Sequence, residues 1–158
     1  MSASSRLDAL ARLLAHARER LGLDIGFVLW GGRRVPGDLA PDALAIAIAD
    51  EGAVAALIRR PNIDTLPALY MATSPQIRDA VKNLPETVRS ALVIGHNPGL
   101  HEFATALAAP APGKPDLTRL TEAFPTAALA EFLIPTAWHR LAFGTAALQR
   151  FLVPAGLV

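Results

Sequence analysis

Apolar residues recur at spacings of three and four along Leu7, Leu10, Leu14, Ala17 and Leu21. That stripe predicts an amphipathic helix started by Ser4 or Ser5 and ended at Gly22. Arg12, His16, Glu19 and Arg20 fall off it, so His16 reads as a solvated surface residue. The β-rich run "DIGFVLW" then stops at Gly31-Gly32, a pair suited to the positive φ angles of a tight turn, and a β-hairpin is predicted there. The same glycines could open a phosphate loop, but the Walker spacing is missing and no helical pattern follows directly. Alternating alanine and isoleucine in "PDALAIAIAD" predict a strand, and "DEGAVAALIRR" a short helix that ends before Pro61.

Two prolines and polar turn residues in "RRPNIDTLPAL" place a boundary near Asp64 to Pro67. Beyond it, "SPQIRDAVKNL" predicts a helix capped by Ser74, with Pro75 at the first helical position and Ile77, Ala80, Val81 and Leu84 on its apolar face. "SALVIGH" reads as a buried strand and "PGLHEFATALAA" as a helix. "PAPGKPD" is too proline-rich to be regular, "TRLTEAF" is a short helical turn, and "AALAEFLI" and "GTAALQRFLV" are strands. No repeat recurs at a fixed period.

Composition narrows the function classes. The 158 residues are 52% apolar and 18% charged, with mean hydropathy +0.34, which is the composition of a folded chain. The formal net charge is +1 and the basic residues are scattered, so no nucleic-acid partner is expected. The absence of cysteine excludes disulfides, thiolate nucleophiles and zinc-cysteine or iron-sulfur ligation. The first 22 residues carry charges throughout, unlike a signal peptide, and no segment reaches the ~18 uncharged apolar residues of a membrane span. A cytoplasmic protein is expected.

The chemistry concentrates at "VIGHNPGL". A histidine that leaves the carboxyl end of a strand just before a helix stands where α/β proteins gather ligands. Backbone N–H groups and the positive helix end favour anions there, and the imidazole of His96 can hydrogen-bond a phosphoryl oxygen. Pro98 suits the first turn because it has no N–H to leave unpaired. A capping or packing histidine at a tight turn is the other reading of these residues.

From about Leu69 to Val153, "LYMATSPQIRDAVKNLPETVRSALVIGHNPGLHEFATALA", then "FPTAALAEF", a tryptophan and "FLVP" in that order resemble the C-terminal half of the histidine phosphatase superfamily, small phosphohistidine phosphatase branch. The resemblance implies an α/β/α sandwich. It makes His96 the supporting catalytic histidine of a phosphate pocket, with Asn97 and Gly99 beside it as phosphate-binding residues and the amides from Asn97 to Leu100 facing the anion. It implies no metal and no cofactor. The family's nucleophile belongs to an Arg-His-Gly or Arg-His-Ala motif at the end of the first strand, followed by a further phosphate-binding arginine, and neither is present. His16 sits mid-helix with no arginine before it; His101 lies one helical turn past the corner and His139 follows Trp138, where surface or packing roles are expected of both. Without an acceptor for the phosphoryl group, covalent catalysis has no first step.

Residues 5–66, from "DIGFVLWGG" through an isoleucine-rich strand to a helix ending in "RRPN", resemble the sterol-carrier-like module that precedes the methyltransferase domain of cyclopropane-fatty-acid synthases. The methyltransferase is absent, so methylene transfer is not expected. The expected architecture is α/β, a mixed sheet with flanking helices merged from two partial folds, residues 1–66 and 67–158, around one shared core. Its unpaired strand edges call for pairing between the halves or for a homodimer. The expected function is a phosphate-pocket protein with weak or absent phosphohydrolase activity, its partner a phosphoryl anion or phosphoprotein, with Arg33, Arg34, Arg59 or Arg60 as sources of added charge. The alternatives are an apolar-ligand or lipid-binding module, or a recombined or designed scaffold with no activity.

Overall fold

The computed structural model of the chain describes residues 27–30, 62–125 and 128–153. The expected N-terminal helix with His16, the Gly31-Gly32 turn, the alanine-isoleucine strand, the helix before Pro61 and all four candidate arginines lie outside the described residues.

Three parallel strands form one sheet in the order β2-β1-β3: β1 (Phe27–Trp30), β2 (Asn62–Thr65) and β3 (Ala91–Ile94). Phe27 stands opposite Asn62 on one side and Ala91 on the other, and Trp30 opposite Thr65 and Ile94. This corrects the expected hairpin. A strand has two hydrogen-bonding edges, and both edges of β1 are taken by parallel neighbours, so no antiparallel arm can pair along those four residues. Asn62–Thr65, whose polar residues were expected to form a turn, is a sheet strand.

Helix α1 (Ser74–Lys82) follows a 3-10 turn, Pro67–Leu69. Its cap is Thr73, one residue before the expected Ser74. Thr73 accepts from the Gln76 N–H while the Gln76 side chain accepts from the Thr73 N–H at 2.8 Å, a reciprocal capping box. Ile77, Val81 and Leu84 bury its apolar face. Helix α2 (Gly99–Leu107) packs on α1 and adds Phe103, Ala104 and Leu107 to the interior. Helix α3 (Pro115–Glu122) begins earlier than the expected turn, with Pro115 in its first turn, and buries Leu120 completely.

Strands β4 (Leu129–Leu133) and β5 (Ala147–Leu152) pair antiparallel in a second sheet, with a register shift between Glu131 and Phe132. Arg150 meets Glu131 across the ladder at 2.9 Å. Helix α3 covers β5: the Asp116 carboxylate accepts from the Phe151 N–H at 3.1 Å, and Leu120 packs with Ala104, Leu148 and Phe151. The architecture is α/β with flanking helices, as expected, and among the described residues its strands form one parallel and one antiparallel sheet. No helix among the described residues is long and apolar enough to cross a membrane.

Candidate active site at the end of strand β3

His96 leaves the carboxyl end of β3 through Gly95 and is half-buried. Its ring meets the edge of Tyr70, with centroids 5.1 Å apart and planes at 80°. Tyr70 sits on a turn closed by the Leu69 N–H on the Leu66 carbonyl, the Tyr70 N–H on that of Pro67 and the Ala72 N–H on that of Leu69. Met71, at φ 52°, occupies the left-handed region there, an uncommon conformation for a residue with a side chain. Among the described residues the His96 ring makes no hydrogen bond, which leaves its nitrogens for a ligand.

The Asn97 side chain has work within the fold. Its side-chain oxygen accepts from the His101 N–H at 3.2 Å, capping α2, and its amide donates to the Phe124 carbonyl at 2.7 Å. Its oxygen and one of its two amide N–H donors are therefore engaged within the fold. The Leu100 N–H donates to the His96 carbonyl at 2.9 Å and Pro98 has no N–H, so within 97–100 the Asn97 and Gly99 amides are the ones without a backbone partner among the described residues.

Gly99 is buried, and its lack of a side chain has a packing cause. A Cβ there would lie 1.8 Å from the Ala72 carbonyl oxygen and 3.0 Å from its carbon, so only glycine lets α2 start against the turn that carries Tyr70.

The other two described histidines are committed elsewhere. His101 places Nε2 2.6 Å from the Leu120 carbonyl, holding α2 to α3. His139, on the 3-10 turn Trp138–Arg140, pairs through Nδ1 with Glu86 at 2.7 Å. That carboxylate also accepts the Trp138 and His139 N–H groups, each at 3.0 Å, and the hydrogen bond from the His139 side chain is the main cause that holds the Glu86 carboxyl below its ordinary value. No cluster of three or more His, Asp or Glu among the described residues could hold a metal. Sequence reasoning missed Tyr70 and Glu86. Tyr70 precedes His96 by 26 positions, and Glu86 reaches His139 across 53 residues, distances over which no periodic signal connects two residues.

A cavity of about 930 Å³ begins at His96 and Asn97, runs along β3 and β4, and ends at Glu86 and Trp138.

No family model matches the chain, and no curated protein matches it in sequence. Solved structures do match. The chain superposes on a candidate phosphohistidine phosphatase SixA from Nakamurella multipartitia with a TM-score of 0.72 at 18% identity, over 95% of this chain and 82% of that one. The fold is SixA-like. A protein histidine phosphatase SixA complexed with tungstate matches at TM-score 0.61 and 21% identity, over 94% and 81%. A candidate SixA from Agrobacterium tumefaciens matches at 0.61 and 18%, over 96% and 82%. The SixA likeness thus spans nearly the whole chain, beyond the C-terminal half that the sequence motifs reached, and none of the comparisons supports a sterol-carrier-like module or a fusion.

Proposed function

We propose that this SixA-like protein binds a tetrahedral phosphoryl group at His96, free or carried on a phosphoprotein, and that it turns the group over weakly or not at all. The observation that carries the reading is the place of His96: at the carboxyl end of a parallel sheet, before a helix N-terminus, with no hydrogen bond to its ring among the described residues. The SixA structure solved with tungstate, a tetrahedral oxyanion, supports the same chemistry at this fold. His96 donates a hydrogen bond to a phosphoryl oxygen and, when protonated, adds charge to it.

Turnover through a phosphohistidine needs a second imidazole with a free nitrogen within reach of phosphorus. His101 holds the Leu120 carbonyl and His139 holds Glu86, each through one ring nitrogen, and neither lines the cavity at His96; Trp30, the last residue of β1, is followed in the sequence by Gly31-Gly32 with no histidine. The test is calorimetric titration with inorganic phosphate and with tungstate, beside hydrolysis of a phosphohistidine peptide, on the native chain and His96→Ala. Saturable oxyanion binding that His96→Ala abolishes at an unchanged melting temperature is the expected result. Equal binding by both proteins removes the pocket assignment, and turnover that survives His96→Ala removes the role of His96.

A further inference from the structure

Two short stretches of backbone carry Tyr70 and His96, and the fold ties one to the other. Three backbone hydrogen bonds between residues 66 and 72 close the turn that bears Tyr70, and the capping box at Thr73 holds its exit. His96 is followed at once by a bonded turn of its own, in which its carbonyl accepts from the Leu100 N–H at 2.9 Å. The two turns then touch, because Gly99 lies so close to Ala72 that a Cβ would have no room. Backbone contact two residues after Tyr70 and three after His96 thus sets the spacing from which the two side chains start.

From that spacing the rings meet with centroids 5.1 Å apart and planes at 80°. An aromatic ring has a negative face and a positive edge, so a near-perpendicular pair is favourable only over a limited range of orientations. The contact therefore selects an angle as well as filling space. An unrestrained histidine has three staggered χ1 wells and a roughly two-fold χ2, about six ring orientations in all. His96 is half-buried and its ring makes no hydrogen bond among the described residues, so no polar partner there fixes its angle. The anchoring of the turn itself falls to Leu69 and Ala72, which are 2% and 4% exposed, whereas Tyr70 is 41% exposed and adds little to the core.

We propose that Tyr70 is a positioning residue for His96: its ring holds the imidazole in the one orientation that presents a nitrogen to the phosphoryl group, a role that rests on the phosphate reading above. Tyr70 acts through His96, and the ring rather than the hydroxyl does so. A site that is competent for only a fraction of the time loses affinity in proportion to that fraction. Release of the side chain among three χ1 wells weakens binding about threefold, and release among all of its ring orientations about sixfold.

The test compares the full native chain with Tyr70→Phe and Tyr70→Leu. Phenylalanine keeps the ring and drops the hydroxyl, while leucine keeps apolar bulk and drops the ring. Calorimetric titration with inorganic phosphate and with tungstate reads affinity; three-bond couplings about χ1 of His96, measured by NMR without oxyanion, read whether its side chain keeps one rotamer. The native chain and Tyr70→Phe are expected to show one rotamer and equal affinity. Tyr70→Leu is expected to show averaged couplings and binding weaker by roughly three- to sixfold, at an unchanged melting temperature. A single rotamer in Tyr70→Leu overturns the proposal, whatever its affinity or melting temperature, because the ring then holds nothing. Unchanged affinity in Tyr70→Leu overturns it as well, and an equal loss in Tyr70→Phe does so by making the hydroxyl a direct ligand. If none of the three chains binds oxyanion, the phosphate reading falls, and the couplings alone decide whether Tyr70 fixes His96.

Discussion

Replacing Gly99 by alanine tests the link between packing and the candidate site most directly. The added Cβ would meet the Ala72 carbonyl oxygen at 1.8 Å, far inside the ~3.5 Å at which heavy-atom contact becomes favourable. A flexible side chain could swing away from such a clash, but this neighbour is backbone. The Ala72 N–H is bonded to the Leu69 carbonyl at 3.2 Å, and Thr73 is locked into the capping box of α1. Relief requires the start of α2 to move off the turn, and His96 with it. Overpacking of this kind costs about 1–3 kcal/mol, and the rigidity of the neighbour argues for the upper part of that range. For a domain of this size about 2–3 kcal/mol lowers the melting temperature by roughly 4–12 °C. Gly95→Ala is the internal control, since among the described residues a Cβ there meets only Leu100 Cδ1 at 3.8 Å, an ordinary contact. Thermal unfolding by circular dichroism of both variants decides the matter. If the two melt within about 2 °C of each other, an amount worth under ~1 kcal/mol, glycine is not required at 99 by packing and the argument fails.

Two further outcomes follow from the same geometry. Asn97→Ala removes a helix cap and the bond to Phe124, so it should lower stability by about 0.5–2 kcal/mol while reducing phosphate affinity less than His96→Ala does; calorimetric titration and melting curves on both variants compare them, and equal loss of affinity would restore Asn97 as a direct ligand. The Glu86 carboxyl is held below its ordinary value of 4.5 chiefly by the His139 side chain, so its contribution to stability is present above that value and is lost as pH falls through the lower, folded-state pKa. The stability gap between the native chain and Glu86→Gln should therefore narrow below pH 4.5, and the Glu86 carboxyl resonance should titrate higher in His139→Ala; a gap that widens on acidification would reverse the assignment.

The elements with local signals were legible. Helix α1 shows its apolar spacing at Ile77, Val81 and Leu84, β3 shows as an apolar run, and β5 as apolar residues on either side of Gln149 and Arg150. The strand β1 was recognised as a strand and given the wrong partner. Phe27–Trp30 is a continuous apolar run, which serves a hairpin arm and a central parallel strand equally well, and its neighbours lie more than thirty residues away. β2, the sequence NIDT, has no apolar pattern at all, and its polar residues gave it the signature of a turn. At the site, His96 was visible because a strand end and a helix start bracket it. The roles of Asn97 and Gly99 were not, because the Phe124 carbonyl and the Ala72 carbonyl that define them are contacts only the folded chain creates.

The contact at Gly99 bears on how the chain can vary. Its neighbour is the Ala72 carbonyl oxygen, a backbone atom that every amino acid carries, so no exchange of side chain at 72 makes room for one at 99. A second substitution there cannot compensate the first, and position 99 is confined to glycine for as long as α2 starts against this turn.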